Sequence, residues 1–206
     1  MRNTVELIGF YGDDKVHALS AWTSTSRDLT DDKINRIPNL LSMLASEEHH
    51  TPFEKSSLHF LVTVDQATHI HLLKHRIGVS INGESARYKE LKEDKIYIPD
   101  DWSNEWKHSL LEFSQLSNSM YHKALEVMTP LVGRKRAKES ARFFKTFNSQ
   151  ITMDLMFNWR SFAHFQGLRN SEHAQVEVRK LAQDMLYLVK NIEGNPFEHT
   201  IKAFKL

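Results

Sequence analysis

Apolar and polar positions alternate along Ser57–Val64, with Leu58, Phe60, Val62 and Val64 on one side, and a period of two predicts a half-buried antiparallel strand. Val5–Phe10 predicts a short opening strand, and Gln150–Phe157 alternates well enough for another. Helical spacing marks Asp14–Thr25 and then Asp31–Ser46, whose stripe is Ile34, Ile37, Leu40, Leu41 and Leu44, with Pro38 bending or restarting it. Asp65 caps a further helix that runs through Arg76. Asn104–Met128 is long and amphipathic, and Arg134–Phe144 is shorter. Glu172–Lys190 carries Val176, Val178, Leu181, Met185, Leu188 and Val189 near helical spacing. Gly194-Asn195-Pro196 ends that helix before a short C-terminal one, and Ile77–Tyr88 is a glycine-punctuated loop or a partly extended excursion. Long helices with few, separated strands predict an α+β protein with an antiparallel sheet. No linker, repeat or low-complexity tract interrupts the chain, so residues 1–206 read as a single domain.

Charge and composition narrow the chemistry. Lys+Arg 27 against Asp+Glu 26 gives a net charge of +1, which lacks the general basic excess of a duplex-binding protein but leaves a local basic pocket open. No stretch is apolar enough to span a bilayer and no leader-like segment opens the chain, so no membrane association and a cytoplasmic location are expected. Cys 0 removes disulfides, thiolate metal sites, iron–sulfur clusters and any cysteine nucleophile. Among 12 histidines, His71 and His75 stand four apart and therefore on one helical face. No third ligand accompanies them, so the pair reads as a polar or ligand-facing surface and no metal is expected.

Two polar groups could carry function. Lys74-His75-Arg76 is followed by Ser80, Asn82, Glu84, Ser85 and Arg87, which supply guanidinium forks, hydroxyls and an amide able to hold phosphate oxygens and read a base or ribose edge. Basic residues closing a helix also complement its dipole, and for Lys74 and His75 that reading stands beside the functional one. The second group is Asn158, Arg160, Ser161, His164 and Arg169, at the start of and along a helix whose buried side is Phe162, Phe165 and Leu168. It is either a solvated face or a ligand site. Arg142, Arg160 and Arg169 have few acidic neighbours in sequence, so each needs an acceptor from elsewhere in the fold or from a ligand. Arg134-Lys135-Arg136 reads as a solvated helix start.

Several ordered motifs together resemble the flavin-dependent thymidylate synthases, the ThyX family. They are Ser20-Ala21-Trp22-Thr23-Ser24, His50-Thr51-Pro52-Phe53-Glu54, Lys74-His75-Arg76 with Ser80 to Tyr88, Asn158-x-Arg160-Ser161, Leu168-Arg169, and His173-Ala174-Gln175-Val176-Glu177-Val178-Arg179. The resemblance covers nearly the whole chain. It implies a homotetramer of α+β protomers with active sites shared between subunits, and reductive methylation of dUMP to dTMP. FAD is the implied cofactor, methylenetetrahydrofolate the carbon donor, reduced FAD the hydride donor and NADPH the external reductant. The lack of cysteine fits, because this family is not thought to attack the uracil ring with an enzymatic nucleophile.

Carried over by position, the resemblance makes Arg169 the catalytic residue, contacting the pyrimidine and favouring its ionised form. His71, Lys74, Glu84, Ser85, Ala86, Arg87 and Arg142 join it in binding substrate. Thr51, Glu54, Lys74, His75, Arg76, Asn158, Arg160 and His164 fall on flavin-binding positions. Four departures stand out. Lys74 replaces the first signature arginine, one extra residue separates Arg76 from Ser80, Trp22 stands where an arginine is common, and His71 replaces a glutamine. The family's acidic position falls on Gly83 by simple alignment or on Glu84 if the loop reroutes. These departures keep open a relative that makes another one-carbon-modified dUMP, such as a hydroxymethyl product. A noncatalytic nucleotide- or nucleic-acid-binding protein, with Lys74, Arg76, Arg87, Arg134, Lys135 and Arg136 as its basic surface, is the alternative from another class; the main reading expects no nucleic acid.

Overall fold

In the computed structural model, which describes residues 1–206, the first half of the chain contains β1 (Thr4–Tyr11), α1 (Asp14–Trp22), α2 (Asp31–Ser46), β2 (Ser57–Asp65), α3 (Gln66–Leu72) and β3 (Val79–Gly83). Then follow α4 (Asn104–Val132), α5 (Arg134–Ala141), β4 (Gln150–Asn158), α6 (Trp159–Arg169), α7 (Val176–Lys190) and α8 (Glu198–Ala203). Short 3₁₀ turns at Thr51–Lys55 and Arg142–Phe144 precede β2 and β4. The class is α+β with an antiparallel sheet, as the spacing indicates. Leu58, Phe60, Val62 and Val64 of β2 are fully buried, and Met153, Leu155 and Phe157 of β4 are buried beside them in the pleat. Two strands with a complete apolar row take the centre of the sheet, whose order is β1-β2-β4-β3. On the opposite face the Thr63 and Thr152 hydroxyls meet at 2.9 Å and mark the register. No helix is long and apolar enough to cross a membrane.

Met1–Thr4, Val62–Leu73 and Asn82–Met153 form one compact unit; Val5–Leu61, Lys74–Ile81 and Asp154–Leu206 form another. In the first, Tyr121 and Leu125 of α4 pack on Ala137 and Ala141 of α5. Buried Lys145 lies over the Tyr121 ring at 4.4 Å and bonds Asp94 and Asn118, each at 2.7 Å. The second unit is rich in aromatic contacts: Trp159 stacks on Phe197 at 4.8 Å, Phe60 on Phe162 at 5.8 Å, and Phe157 lies 5.2 Å from Phe165. Within that apolar mass sits His17, whose ring nitrogens meet Thr200 and Ser56.

Several boundaries differ from those the spacing suggests, for local reasons. Helix α1 stops at Trp22 rather than Thr25, because the Thr23, Ser24 and Thr25 hydroxyls take the carbonyls of Leu19, Ala21 and Trp22. Pro38 lies inside an unbroken α2, and Ile34 of its expected stripe is exposed. Asp65 caps α3 by accepting from the Thr68 N–H at 2.8 Å, as expected, but the helix ends at Leu72. Lys74-His75-Arg76 therefore lies beyond the last turn, which removes both the helix-dipole reading and the shared helical face of His71 and His75. Val79–Gly83 is a strand, held by its pairing with β4 rather than by an apolar face. Helix α4 continues to Val132 with Pro130 inside its last turn, and the segment expected to be helical from Arg134 to Phe144 splits into α5 and a 3₁₀ turn. Helix α7 starts at Val176 rather than Glu172, since Ala174 N–H turns back to the Ser171 carbonyl. Leu168, expected on the buried side of α6, is exposed.

This core sets two measurable outcomes. Phe162→Ala lowers the unfolding free energy by about 3–5 kcal/mol, whereas Leu168→Ala on the same helix changes it by less than about 0.5 kcal/mol; equal losses in urea melts would contradict this packing. The second outcome concerns pH. Burial lowers the His17 pKa from 6.5 to about 3. The unfolded chain therefore takes up a proton below pH 6.5 that the folded chain refuses until about pH 3, and stability falls across that window as pH falls, by up to about 1.4 kcal/mol per pH unit. Half-buried His69 shifts in the same direction. Asp14 has the opposite sign: burial raises its carboxyl pKa against the lowering effect of its bonds to Thr200 and His199, so its contribution is greatest at low pH and fades as pH rises through the folded value. Stability from urea melts thus drops between pH 7 and pH 5, and His17→Gln flattens the drop; identical slopes would refute the assignment.

Candidate active site

Residues expected on the flavin gather in the second unit. The Lys74–Gly78 segment lies on the N-terminus of α6. There the Asn158 N–H donates to the Gly78 carbonyl at 2.9 Å and the Ser161 hydroxyl to the Ile77 carbonyl at 2.6 Å. Asn158 also caps the helix, its Oδ1 accepting from the Ser161 N–H at 2.9 Å. Gly78 has φ +65°, and a Cβ there would stand 2.3 Å from both Asn158 Nδ2 and Ser161 Oγ, so only glycine permits this approach.

Pinned in this way, the segment turns His75 inward. The His75 ring lies edge-on to Phe165, with centroids 5.0 Å apart, and 6.4 Å from His164. The Arg169 Nε–H donates to His75 Nε2 at 2.9 Å, across 94 residues of sequence. Because a guanidinium only donates, that ring nitrogen carries no proton and His75 is the neutral Nδ1–H tautomer. Arg169 has no carboxylate partner in the chain, so its charge is available to an anion.

Arg160 finds its acceptor within the fold: its Nη1 lies 2.6 Å from Glu54 Oε1, with both groups partly exposed. Glu54 and Thr51 share the 3₁₀ turn before β2, and exposed His164 lies one turn along α6 from Arg160. Lys74 and Arg76 are exposed. A cleft of about 480 Å³ opens beside this pair. Polar Glu54, Ser57, Ser80 and Asn158 line it together with Tyr11 and Met156. Sequence reasoning missed Tyr11, Ser57 and Met156. For the last two the signal was present, since alternation in β2 and β4 puts them off the core face. The chemistry of this lining fits a flat heteroaromatic ring: apolar side chains for its faces, and charged and amide groups for its carbonyl and imino edges.

Residues expected on the nucleotide belong to the first unit, apart from Lys74 and Arg169. The segment after β3 lies along α5: Arg134 Nη2 meets Glu90 at 2.6 Å, Lys138 Nζ donates to the Tyr88 carbonyl at 2.7 Å, and Arg87 Nε donates to Glu139 Oε1 at 3.2 Å. Arg87 holds the Glu139 carboxyl below its usual pKa and lies 5.5 Å from the Tyr88 ring. The Ser85 carbonyl accepts from the Tyr88 and Lys89 N–H groups, both at 2.9 Å, which closes the turn containing Ala86. Arg142 follows α5, exposed and with no acceptor from the fold. His71 is half-buried on α3. Glu84 Oε2 accepts from the Thr152 N–H at 3.0 Å and Oε1 from Lys89 at 2.5 Å, so this carboxylate extends the pairing of β3 with β4. Gly83 stands where a Cβ would press on Met153 at 3.3 Å. Arg134, Lys135 and Arg136 are exposed at the start of α5, the solvated helix start that the sequence suggests, and Arg134 and Arg136 also meet Glu90 and Glu139 there.

A family model described as thymidylate synthase complementing protein matches residues 6–193. A flavin-dependent thymidylate synthase of Streptomyces avermitilis is 27% identical over 204 residues, covering 90% of this chain and 82% of that protein. One from Tropheryma whipplei is 31% identical over 190 residues, covering 82% and 76%. The crystal structure of a UMP/dUMP methylase, PolB, from Streptomyces cacaoi bound with 5-Br dUMP superposes with a TM-score of 0.82 at 25% identity, covering 98% of this chain and 94% of that one. With the family model spanning most of the chain, the protein belongs to the thymidylate synthase complementing proteins, the family of the flavin-dependent thymidylate synthases.

Proposed function

We propose that the protein is a flavin-dependent thymidylate synthase that converts dUMP to dTMP. Residues 1–206 form its catalytic domain, and it acts in the cytoplasm as a homotetramer with sites shared between subunits. The observation that carries this reading is the 2.9 Å bond between Arg169 and His75, which joins two of the motifs on which the family resemblance rests. When bound, FAD supplies the hydride that completes the methyl group, with methylenetetrahydrofolate as the carbon source and NADPH as the reductant.

The chain's own part is positioning and charge. Arg169, oriented by His75, faces the pyrimidine and stabilises negative charge that develops on it, as a fixed donor does for any developing anion. Ser85, Ala86, Arg87 and Arg142 take the phosphate side of dUMP, with Lys74, His71 and Glu84 completing the substrate set. For Arg87 the phosphate competes with Glu139, an exchange of one charge-assisted hydrogen bond for another. Thr51, Glu54, Lys74, His75, Arg76, Asn158, Arg160 and His164 hold the flavin, with Glu54 and Arg160 acting as one ion-paired unit. Without a cysteine anywhere in the chain, ring activation falls to these stationary groups.

Mass analysis of the nucleotide product, after incubation with FAD, NADPH, methylenetetrahydrofolate and dUMP, tests the reaction. A gain of one methyl group supports it, and a hydroxymethyl product or unchanged dUMP overturns it. Arg169→Ala lowers kcat by about 10²–10³-fold with flavin content retained; parallel loss of flavin would place this arginine on the cofactor instead. Arg160→Ala weakens FAD binding at least about tenfold, the scale of one charge-assisted hydrogen bond; normal flavin occupancy in the purified variant would remove Arg160 from the cofactor set.

A further inference from the structure

Beside the cleft runs a line of four hydrogen-bonded side chains that none of the steps above uses. Ser56 Oγ is 2.7 Å from His17 Nε2, His17 Nδ1 is 2.9 Å from Thr200 Oγ1, and the Thr200 hydroxyl donates to Asp14 Oδ1 at 2.5 Å. Asp14 also accepts from the N–H groups of Thr200 at 2.9 Å and His199 at 2.8 Å. These three donors oppose the burial that raises the Asp14 pKa, and the Thr200 hydroxyl is the donor in its bond to the carboxyl group.

Each proton in the line then has one place. Thr200 gives its single proton to the carboxylate, so it can only accept from His17, whose ring proton must sit on Nδ1. Nε2 is left as an acceptor, and Ser56 donates to it. A serine, a histidine and a carboxylate in sequence suggest nucleophilic catalysis, but Ser56, although it borders the cleft, is only 2% exposed and its hydroxyl is turned to His17. The line is therefore a structural coupling, and what matters is what it joins.

His17 touches both segments that carry the Glu54–Arg160 pair. Its ring centroid lies 5.2 Å from that of Phe53, on the 3₁₀ turn with Thr51 and Glu54, and 6.3 Å from that of Trp159, which sits between Asn158 and Arg160. It also lies 5.9 Å from Phe197, beside the C-terminal helix that supplies Thr200. Glu54 and Arg160 are partly exposed, and an exposed pair is weak by itself, so their separation must be set from beneath. We propose that His17 is a positioning residue: through Ser56, Phe53 and Trp159 it fixes the 51–56 turn against the start of α6, and so sets the Glu54–Arg160 pair that receives the flavin. This rests on the cofactor assignment given above.

Full-length His17→Leu, His17→Gln and Thr200→Val test it by two readouts: FAD affinity from fluorescence titration, and hydrogen exchange of the cofactor-free protein. His17→Leu loses about tenfold in FAD affinity, and exchange quickens at residues 53–56 and 159–161. His17→Gln, which keeps an acceptor for Ser56, recovers most of both; Leu fills similar space, so this recovery would not follow from packing alone. Thr200→Val, at a residue that does not line the cleft, gives a smaller loss of the same kind. Wild-type affinity and exchange in His17→Leu, or equal losses in the Leu and Gln variants, overturn the proposal. If His17→Leu does not fold, Thr200→Val decides, and its unchanged exchange at 53–56 overturns the proposal. Wild-type protein that binds no FAD refutes the cofactor assignment, and exchange in the cofactor-free protein still decides the role of His17.

Discussion

A guanidinium clamps an anion only as firmly as it is itself kept from swinging, and here one neutral imidazole does that work. Arg169 spends its Nε–H on His75 Nε2, which fixes the plane of the fork and leaves its outer nitrogens to a ligand. His75 is in turn wedged against Phe165, and its segment is tied down at the Ile77 and Gly78 carbonyls. All of these restraints come from α6: the residues at its start bind the segment, Phe165 packs on the histidine, and Arg169 reaches it from the last turn. A single rigid helix thus determines where the charge stands, which is the preorganisation that charge stabilisation without covalent chemistry requires.

The cations in the loop after β3 are handled differently. Arg87 and Arg134 have carboxylate partners within the chain, whereas Arg142 has none. The loop is held along α5 by bonds that a phosphate can replace at Arg87 without disturbing Lys138 on the Tyr88 carbonyl or Arg134 on Glu90. Arg87, Arg134 and Arg136 each stand beside a glutamate at the surface.

Where a periodic pattern coincides with burial, the sequence was informative. The rows Leu58–Phe60–Val62–Val64 and Met153–Leu155–Phe157 locate the central strands, and Asp65 and Asn158 mark the starts of their helices. It misled where tertiary bonds override local preference. Nothing in Lys74-His75-Arg76 says that the helix ends at Leu72, and the segment that follows is held at the Ile77 and Gly78 carbonyls by Ser161 and Asn158, far along the chain. Arg142, Arg160 and Arg169 looked alike in lacking acidic neighbours, yet the fold answers one with Glu54, another with His75 and the third with nothing. His17 stood out by no spacing at all. Its partners Ser56 and Thr200 lie 39 and 183 residues away, beyond the reach of any local pattern.

The central claim is that a stationary arginine, oriented by a neutral histidine, faces the pyrimidine of dUMP. A crystal structure of the protein with FAD and dUMP tests it most directly. The account predicts the pyrimidine carbonyl edge within hydrogen-bonding distance of the Arg169 Nη atoms, with the Arg169–His75 bond intact. A uracil ring held elsewhere, with Arg169 turned away from it, would contradict the account.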